Sequence, residues 1–429
     1  MIYERPKYKN QYENFIGGEW IAPSSGEYIE NISPVDGKLL TKIPRSNEKD
    51  VDLAVEAAKK GFEEFKHTSV TQRSALLNKI ADIVEANLET LAVAETLDNG
   101  KAVRETLNAD LPLFIDHFRY FASVIRAESG TISDLDENTI SQEIYEPYGV
   151  VAQIIPWNFP LLMAAWKLAP AIAAGNCVVL KPASSTPLSI LLFLDLIKDV
   201  LPKGVINVVN GAGGKIGKHL VTHRDVKKVA FTGETSTGQE IMRYATENII
   251  PSTLELGGKS PNVFFKSIMD ADDEFFDKAI EGLVLFAFNS GEVCTCPSRA
   301  LIEESIYEPF MKRVIERVKA IKLGNPLDTE NTMGAQNSFN QKEKIAKYLK
   351  IAKEDGAECL VGGDIYHSSV NPDGFYIEPT IYKGHNKMRI FQEEIFGPVL
   401  AVTTFKDEKE AVEIANDTIY GLGSGVWSR

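Results

Sequence analysis

Two stretches of the chain put reactive side chains next to small residues. Ser252 to Lys259 reads Ser-Thr-Leu-Glu-Leu-Gly-Gly-Lys and places the carboxylate of Glu255 at the end of a short apolar run, before a glycine pair. Asn289 to Arg299 reads Asn-Ser-Gly-Glu-Val-Cys-Thr-Cys-Pro-Ser-Arg and places the thiol of Cys294 in a small-residue loop after a helix-like run, Ala279 to Phe288. A thiolate and a carboxylate on opposite sides of a bound carbonyl can carry acyl chemistry through a thioester. The thiol attacks, and the carboxylate later deprotonates the water that releases the acid. On residue type alone, plainer readings stand. A lone Cys often serves as a small core hydrophobe, Glu255 as a partnered or solvated carboxylate, and Cys296 shares the loop and could be the nucleophile instead.

The elements around these stretches read as α/β. From Gly149 to Leu256 strand and helix alternate. The strands are Val150 to Ile155, Cys177 to Leu180, Val205 to Val209, Lys228 to Thr232 and Thr253 to Leu256. The helices are Leu161 to Ala174, Ser189 to Val200, Lys215 to Thr222 and Gln239 to Ala245. This predicts a doubly wound parallel sheet, which binds dinucleotides at the carboxyl ends of its strands. A second α/β unit follows Gly257-Gly258. Its strands are Pro261 to Phe265, Arg299 to Ile302, Tyr376 to Tyr382 and Val399 to Phe405; its helices are Ala271 to Phe288, Ile306 to Ile321 and Asn331 to Asp355. Ahead of the sheet, residues 15 to 45 read as strands and hairpins. Helices follow from a cap at Ser46 or Asn47 toward Phe65, then over Thr71 to Asn87, Leu88 to Asp98 and Lys101 to Glu128. Thr131 to Tyr148 alternates as a hairpin would. The expected organisation is a dinucleotide-binding domain over 1–127 and 148–257, a bridging hairpin over 128–147, and a second α/β domain over 258–429.

Two glycine patterns compete for a phosphate. Gly211-Ala212-Gly213-Gly214-Lys215-Ile216-Gly217 and Gly233-Glu234-Thr235-Ser236-Thr237-Gly238 each lie between a strand and a helix. Neither is a clean G-x-G-x-x-G, and such a glycine is often only a turn. Lys181 ends a buried strand. Because an unpaired buried ammonium is costly, it is expected at the strand's exposed end.

Four runs together resemble the signatures of the aldehyde dehydrogenase superfamily, in its order and at similar spacing. They are Leu-Glu-Leu-Gly-Gly-Lys, Phe-Asn-Ser-Gly-Glu-Val-Cys, Pro-Trp-Asn-Phe-Pro at Pro156 to Pro160, and Glu-Glu-Ile-Phe-Gly-Pro at Glu393 to Pro398. The resemblance runs from Phe15 to the last residue. It implies an NAD(P)-dependent oxidation of an aldehyde to the acid through a thiohemiacetal and a thioester. It also implies Cys294 as nucleophile over Cys296, Glu255 as hydrolytic base, Asn158 with the Cys294 backbone N–H as oxyanion donors, and Lys167 as a proton carrier behind Glu255. For Lys167 a snorkelling helix lysine is the plain alternative; for Asn158 it is a turn residue before Pro160. For the cofactor the resemblance implies Ile155, Pro156, Trp157, Lys181, Ser184, Gly211, Gly213, Phe231, Thr232, Gly233, Glu234, Thr235, Gly238, Leu256, Glu394 and Phe396. Two positions depart from the pattern. Glu234 stands where many relatives carry Ser, and its carboxylate is expected to point away from the pyrophosphate. Ser184 stands where a Glu usually takes the ribose hydroxyls, which widens the cofactor from NAD to NADP, since a hydroxyl does not repel a 2′-phosphate. The hairpin is implied to reach a neighbouring subunit of a dimer or tetramer. Phe159, Trp166 and Val293 resemble the lining of an apolar tunnel.

Composition narrows the partners. The chain has 429 residues, 25% charged and 44% hydrophobic, with a formal net charge of −14. That size and balance suit a multidomain globular protein, and the charge argues against nucleic acid or an anionic membrane as partner. Cys177, Cys294, Cys296 and Cys359 form no disulfide framework, which suits a reducing, cytoplasmic setting. The C-x-C pair has no nearby His, so no metal site is expected. The polar Met1 to Asn14 run has no signal-peptide core. Phe159 to Leu180 is broken by Lys167, Pro170 and Gly175-Asn176 and reads as a buried helix and strand. The chain stops at Gly425-Val426-Trp427-Ser428-Arg429, inside what resembles the family's catalytic domain. Pocket wall, a helix and strand, and the strand completing the oligomer sheet are therefore expected to be missing. Two other readings stay open: a dehydrogenase for a charged semialdehyde, for which Arg299 is the nearest cation, and a nonenzymatic cofactor-binding remnant.

Overall fold

A computed structural model describes residues 1–369 and 371–429. Apolar runs without alternation, such as Val150–Ile154 and Cys177–Lys181, are buried almost throughout. A parallel strand covered on both faces requires that pattern. In chain order the first half holds β1 Asn14–Ile16, β2 Glu19–Ile21, β3 Tyr28–Ile32, β4 Leu39–Pro44, β5 Ile132–Asp136, β6 Thr139–Gln142, β7 Val150–Ile154, β8 Cys177–Lys181, β9 Ile206–Val208, β10 Val226–Thr232 and β11 Ser252–Glu255. The second half holds β12 Pro261–Phe264, β13 Arg299–Glu303, β14 Glu358–Val361, β15 Thr380–Lys383, β16 Val399–Phe405 and β17 Gly425–Trp427.

The first sheet has the order β11-β10-β7-β8-β9-β1-β2. Its five strands from β11 to β9 are parallel, as the alternating pattern predicts, and the β1–β2 hairpin closes the edge antiparallel. The second sheet has the order β14-β15-β16-β13-β12-β17, parallel except for the β14–β15 pair. Each sheet carries its own apolar core, and Val293, one residue before Cys294, packs against both. The reactive loop therefore lies where the two cores meet.

Helix boundaries follow their caps. Asn47, not Ser46, caps Glu48–Phe65 and forms a capping box with Asp50; Ser69 and Gln72 do the same for Val70–Ala86. Three expected helices are shorter in the structure. Lys101 to Glu128 begins at Val103, passes through a π-helical turn over Thr106–Asp110, and ends at Val124, so Lys101 lies outside it. Ala271 to Phe288 is α-helical only over Glu274–Val284; a 3-10 turn follows from Leu285, and past Phe288 the residues Asn289 and Ser290 take left-handed conformations at φ 50° and 55°. Asn331 to Asp355 is helical only over Phe339–Glu354, where Ser338 caps it. In each case apolar periodicity ran past the helix end, and for two of them a local cap, Asp273 or Ser338, sets the start. Strands β14 and β17 and the helix Glu408–Asn416 are further elements, outside the expected set. The β5–β6 hairpin forms and is exposed along its whole length. Among the described residues no helix is long and apolar enough to cross a membrane.

Candidate active site

Glu255 is the last residue of β11 and pairs in register with Thr232 of β10. Its carbonyl accepts the Gly233 N–H at 3.0 Å, and its side chain is exposed. The glycine pair that follows is in contact with both other signature loops. A Cβ on Gly258 would lie 2.6 Å from the Cys294 carbonyl oxygen, and one on Gly257 would lie 2.2 Å from Glu394 Oε2. The Gly258 N–H donates to Glu394 Oε1 at 3.0 Å. Only residues without a side chain allow the three segments to approach this closely.

Cys294 is half-buried, whereas Cys296 is buried with its sulfur directed at the Phe286 carbonyl. Burial pushes the Cys294 thiol above its ordinary value. The carboxylates of Glu394 and Glu255 push the same way, against the backbone N–H groups of Thr295 and Cys294. Cys296 is pushed to about 12 by burial. Access separates the two thiols that residue type could not.

Asn158 follows β7 and is 4% exposed. Its Nδ2 donates one hydrogen to the Glu292 carbonyl at 2.9 Å, leaving the second amide hydrogen free to donate. Asn289 braces it: its Nδ2 reaches the Asn158 carbonyl at 3.2 Å and the Glu292 carbonyl at 3.1 Å, while its own N–H donates to Glu105 Oε1 at 3.0 Å. The left-handed turn at 289–291 is what aims these groups. Lys167, on the helix Pro160–Ala173, is buried and donates to the Thr232 hydroxyl beside Glu255. It does not snorkel. Burial lowers it to about 8, with Glu255 and then Cys294 acting in the opposite direction.

The residues singled out for a cofactor gather at the carboxyl ends of the first sheet in three groups. Ser184 Oγ donates to the Gly211 carbonyl at 2.8 Å, and a Cβ on Gly213 would be 3.9 Å from Lys181 Nζ. Gly233 is seated over the Phe231 ring and Gly238 under Leu256, where a Cβ would come within 2.6 and 2.4 Å. Trp157 meets Phe396 edge to face at 5.2 Å, and Ile155, before Pro156, donates to the Lys181 carbonyl. Lys181 corrects an expectation. It is 4% exposed, not at an open strand end, and burial lowers it to about 8 while its ammonium donates to the Pro182 carbonyl. The groups fit a dinucleotide phosphate. The helix Thr235–Ala245 starts without a side-chain cap, and the buried Thr235 hydroxyl beside it has no partner among the described residues. An anion supplies what that helix end lacks. Glu234 is exposed, and its charge is felt by Glu394.

A family model described as the aldehyde dehydrogenase family matches residues 20–429. The chain belongs to the aldehyde dehydrogenase family. A long-chain-aldehyde dehydrogenase of an Acinetobacter species is 64% identical over 422 residues, which is 98% of this chain and 84% of that one. Aldehyde dehydrogenase B of Escherichia coli K12 is 62% identical, covering 99% and 83%. Among solved structures, an indole-3-acetaldehyde dehydrogenase in complex with NAD+ superposes with a TM-score of 0.94 at 41% identity, covering 98% of this chain and 85% of that one. A betaine aldehyde dehydrogenase of Staphylococcus aureus, also with NAD+, gives 0.93 at 38% identity, covering 97% and 83%.

Other residues of this aldehyde dehydrogenase site carried no role in the sequence reading. Asn99, Lys101, Glu105, Asn289 and Glu292 form its polar underside. Only the small-residue run Asn289-Ser290-Gly291 signalled it, because the partners lie far along the chain, 58 residues from Asn99 to Trp157 and 184 from Glu105 to Asn289. Of the expected tunnel residues, Trp166 lines a cavity of about 1100 Å³ together with Lys167, Phe231 and Glu255. Phe159 is instead covered by Lys101, and Val293 packs into the two cores. Arg299 is fully buried, and its guanidinium is spent on the carbonyls of Lys259, Ile414 and Ala415 and on Asn386. It offers no charge to a substrate.

Proposed function

We propose that this aldehyde dehydrogenase oxidises an uncharged aldehyde to its acid with NAD or NADP, through a thioester on Cys294 that Glu255 hydrolyses. The observation that carries the reading is the seating of Gly258 against the Cys294 carbonyl, which brings the thiol loop to the end of the strand bearing Glu255. Cys294 passes its proton to solvent water, and its sulfur bonds to the carbonyl carbon. The second amide hydrogen of Asn158 and the Cys294 N–H hold the oxyanion. Removing one such donor costs roughly 3–4 kcal/mol in comparable sites. A nicotinamide cofactor, when bound by the residues at the carboxyl ends of the first sheet, would supply the hydride acceptor. As the oxyanion collapses, the carbon–hydrogen bond breaks with its electron pair and a thioester remains. Glu255 then takes a proton from water, the hydroxide displaces the sulfur, and the acid leaves. Lys167, lowered by burial to about 8 and bonded to Thr232 beside Glu255, would relay that proton in its neutral form.

Changing Cys294 to Ala should abolish oxidation. Changing Glu255 to Gln should allow one turnover and then stall as a thioester visible by intact-protein mass spectrometry; a normal steady-state rate in that variant would contradict the role. Ser184 supports use of NADP, since its hydroxyl is turned to the Gly211 carbonyl and carries no charge. Turnover measured with each cofactor decides this, and strict rejection of NADP removes the argument. The burial of Arg299 speaks against a charged semialdehyde, and a panel of aliphatic, aromatic and anionic aldehydes tests that. The exposed hairpin supports a homo-oligomer, and the four free cysteines support a reducing, cytoplasmic setting.

A further inference from the structure

The strand-to-helix turn that carries Asn158 is gripped from one side by one short stretch. Glu95, Asn99 and Lys101 hold residues 161, 157 and 159 in turn. Glu95 Oε2 accepts the Leu161 N–H at 3.2 Å. Asn99 Nδ2 donates to the Trp157 carbonyl at 2.8 Å. The Lys101 ammonium lies 3.8 Å from the centre of the Phe159 ring. Both residues flanking Asn158 are thus fixed by the segment 99–101. Gly100 at its centre takes φ 98°, and a Cβ there would lie 2.9 Å from the Ala335 carbonyl.

The charge arrangement is not one that folding alone favours. Lys101 is 1% exposed and pairs with Asp110 of the π-helical turn at 2.6 Å, with Asp110 equally buried. Glu95, Glu105 and Glu292 also face this ammonium, and Arg104 acts on Glu105 from the rim. Burial pushes Glu95 and Glu105 up to about 8, while the contact that the Lys101 ammonium makes directly is with Asp110. A buried pair of this kind is weak evidence for stability, because well-packed apolar residues often replace one at no loss. A cation held on the face of a buried aromatic ring does fix that ring's place.

We infer that Lys101 and Asn99 are positioning residues for catalysis, which clamp Phe159 and Trp157 so that the free amide hydrogen of Asn158 points at the developing oxyanion. The inference rests on the oxyanion role given to Asn158 above. It predicts an effect on turnover rather than on aldehyde binding, since the oxyanion exists only after attack.

The test is a double-mutant cycle on the full chain, using Lys101→Met, Asn99→Ala and Asn158→Ala. Lys101→Met is expected to lower kcat roughly 10²-fold, the scale of a misaligned catalytic group. Its aldehyde KM should stay within about threefold of the parent, and Cys294 should react with iodoacetamide at the parent rate. In the Asn158→Ala background neither Lys101→Met nor Asn99→Ala should cost anything further. Losses that multiply with that of Asn158→Ala, or a Lys101→Met enzyme with parental kcat, overturn the inference. An Asn158→Ala enzyme with parental kcat overturns the oxyanion reading itself. If Lys101→Met does not fold, Asn99→Ala decides through the same cycle, because it removes one hydrogen bond and leaves the buried pair intact.

Discussion

Cys294 rests as a thiol held back by its surroundings. Burial comes first among the causes, and Glu394 and Glu255 add to it. The charged form is the one disfavoured, so the thiolate fraction rises with pH only above the ordinary thiol range. Without cofactor, the rate of iodoacetamide alkylation should therefore reach half its maximum above about pH 8.5. Glu394→Gln should move that midpoint down, since it removes one of the opposing charges. A midpoint below 8 in the parent enzyme would show the thiol to be activated at rest. Cys294, Glu255 and Asn158 could be proposed from the sequence because each sits inside a contiguous motif that carries the family resemblance. Lys101 and Glu105 could not. A buried charge is defined by what surrounds it, and here chain neighbours such as Asp110 are joined by Phe159, Asn289 and Glu292 from distant segments. Lys181 shows the same gap from the other side: burial was judged too costly, yet neighbouring segments cover it at the strand end.

At the scale of elements, the glycine pair after β11 joins the two halves of the chemistry. Gly258→Ala would put a methyl group 2.6 Å from the Cys294 carbonyl and 3.2 Å from Leu422 Cβ. The thiol loop must then shift. The variant should lose about 1–3 kcal/mol of stability, as overpacked sites do, and at least tenfold in kcat. A thermal melt and the initial burst of NADH measure the two effects, and an unchanged burst would show that this contact does not set the loop. The strand and helix alternation from β7 to β11 was readable because buried parallel strands have continuous apolar runs. The helix before Cys294 was overread. Apolar periodicity continues to Phe288, while the backbone leaves the helix at a turn imposed by Glu105 and Gln336. Local pattern carries no trace of that constraint.

Across the whole molecule, two sheets with separate cores meet at the Cys294 loop, and the β5–β6 hairpin, exposed along its strands, walls with its base the cavity beside the first sheet. Ile132, Leu135, Ile140 and Ile144 on and beside it are each more than 60% exposed. Apolar side chains clustered on a projecting ribbon suit contact with another chain. Ile132→Asp with Ile140→Asp should convert an oligomer, sized by light scattering, to single chains; a parent protein that is already monomeric would refute the role. The sequence pattern anticipated the hairpin and the parallel order of the first sheet. It did not show how edges are finished by β1–β2, β14 and β17, because edge pairing depends on which strand ends the fold leaves uncovered.

The left-handed turn at Asn289 and Ser290 has a consequence for engineering. Each non-glycine residue in that conformation costs roughly 1–2 kcal/mol, so a stabilisation campaign guided by backbone preference would exchange both for glycine. At Asn289 the exchange would discard the amide that ties the carbonyls of Asn158 and Glu292 together. The two lost hydrogen bonds would offset the strain relieved, and the product would turn over more slowly, so backbone preference alone misguides the choice at this turn.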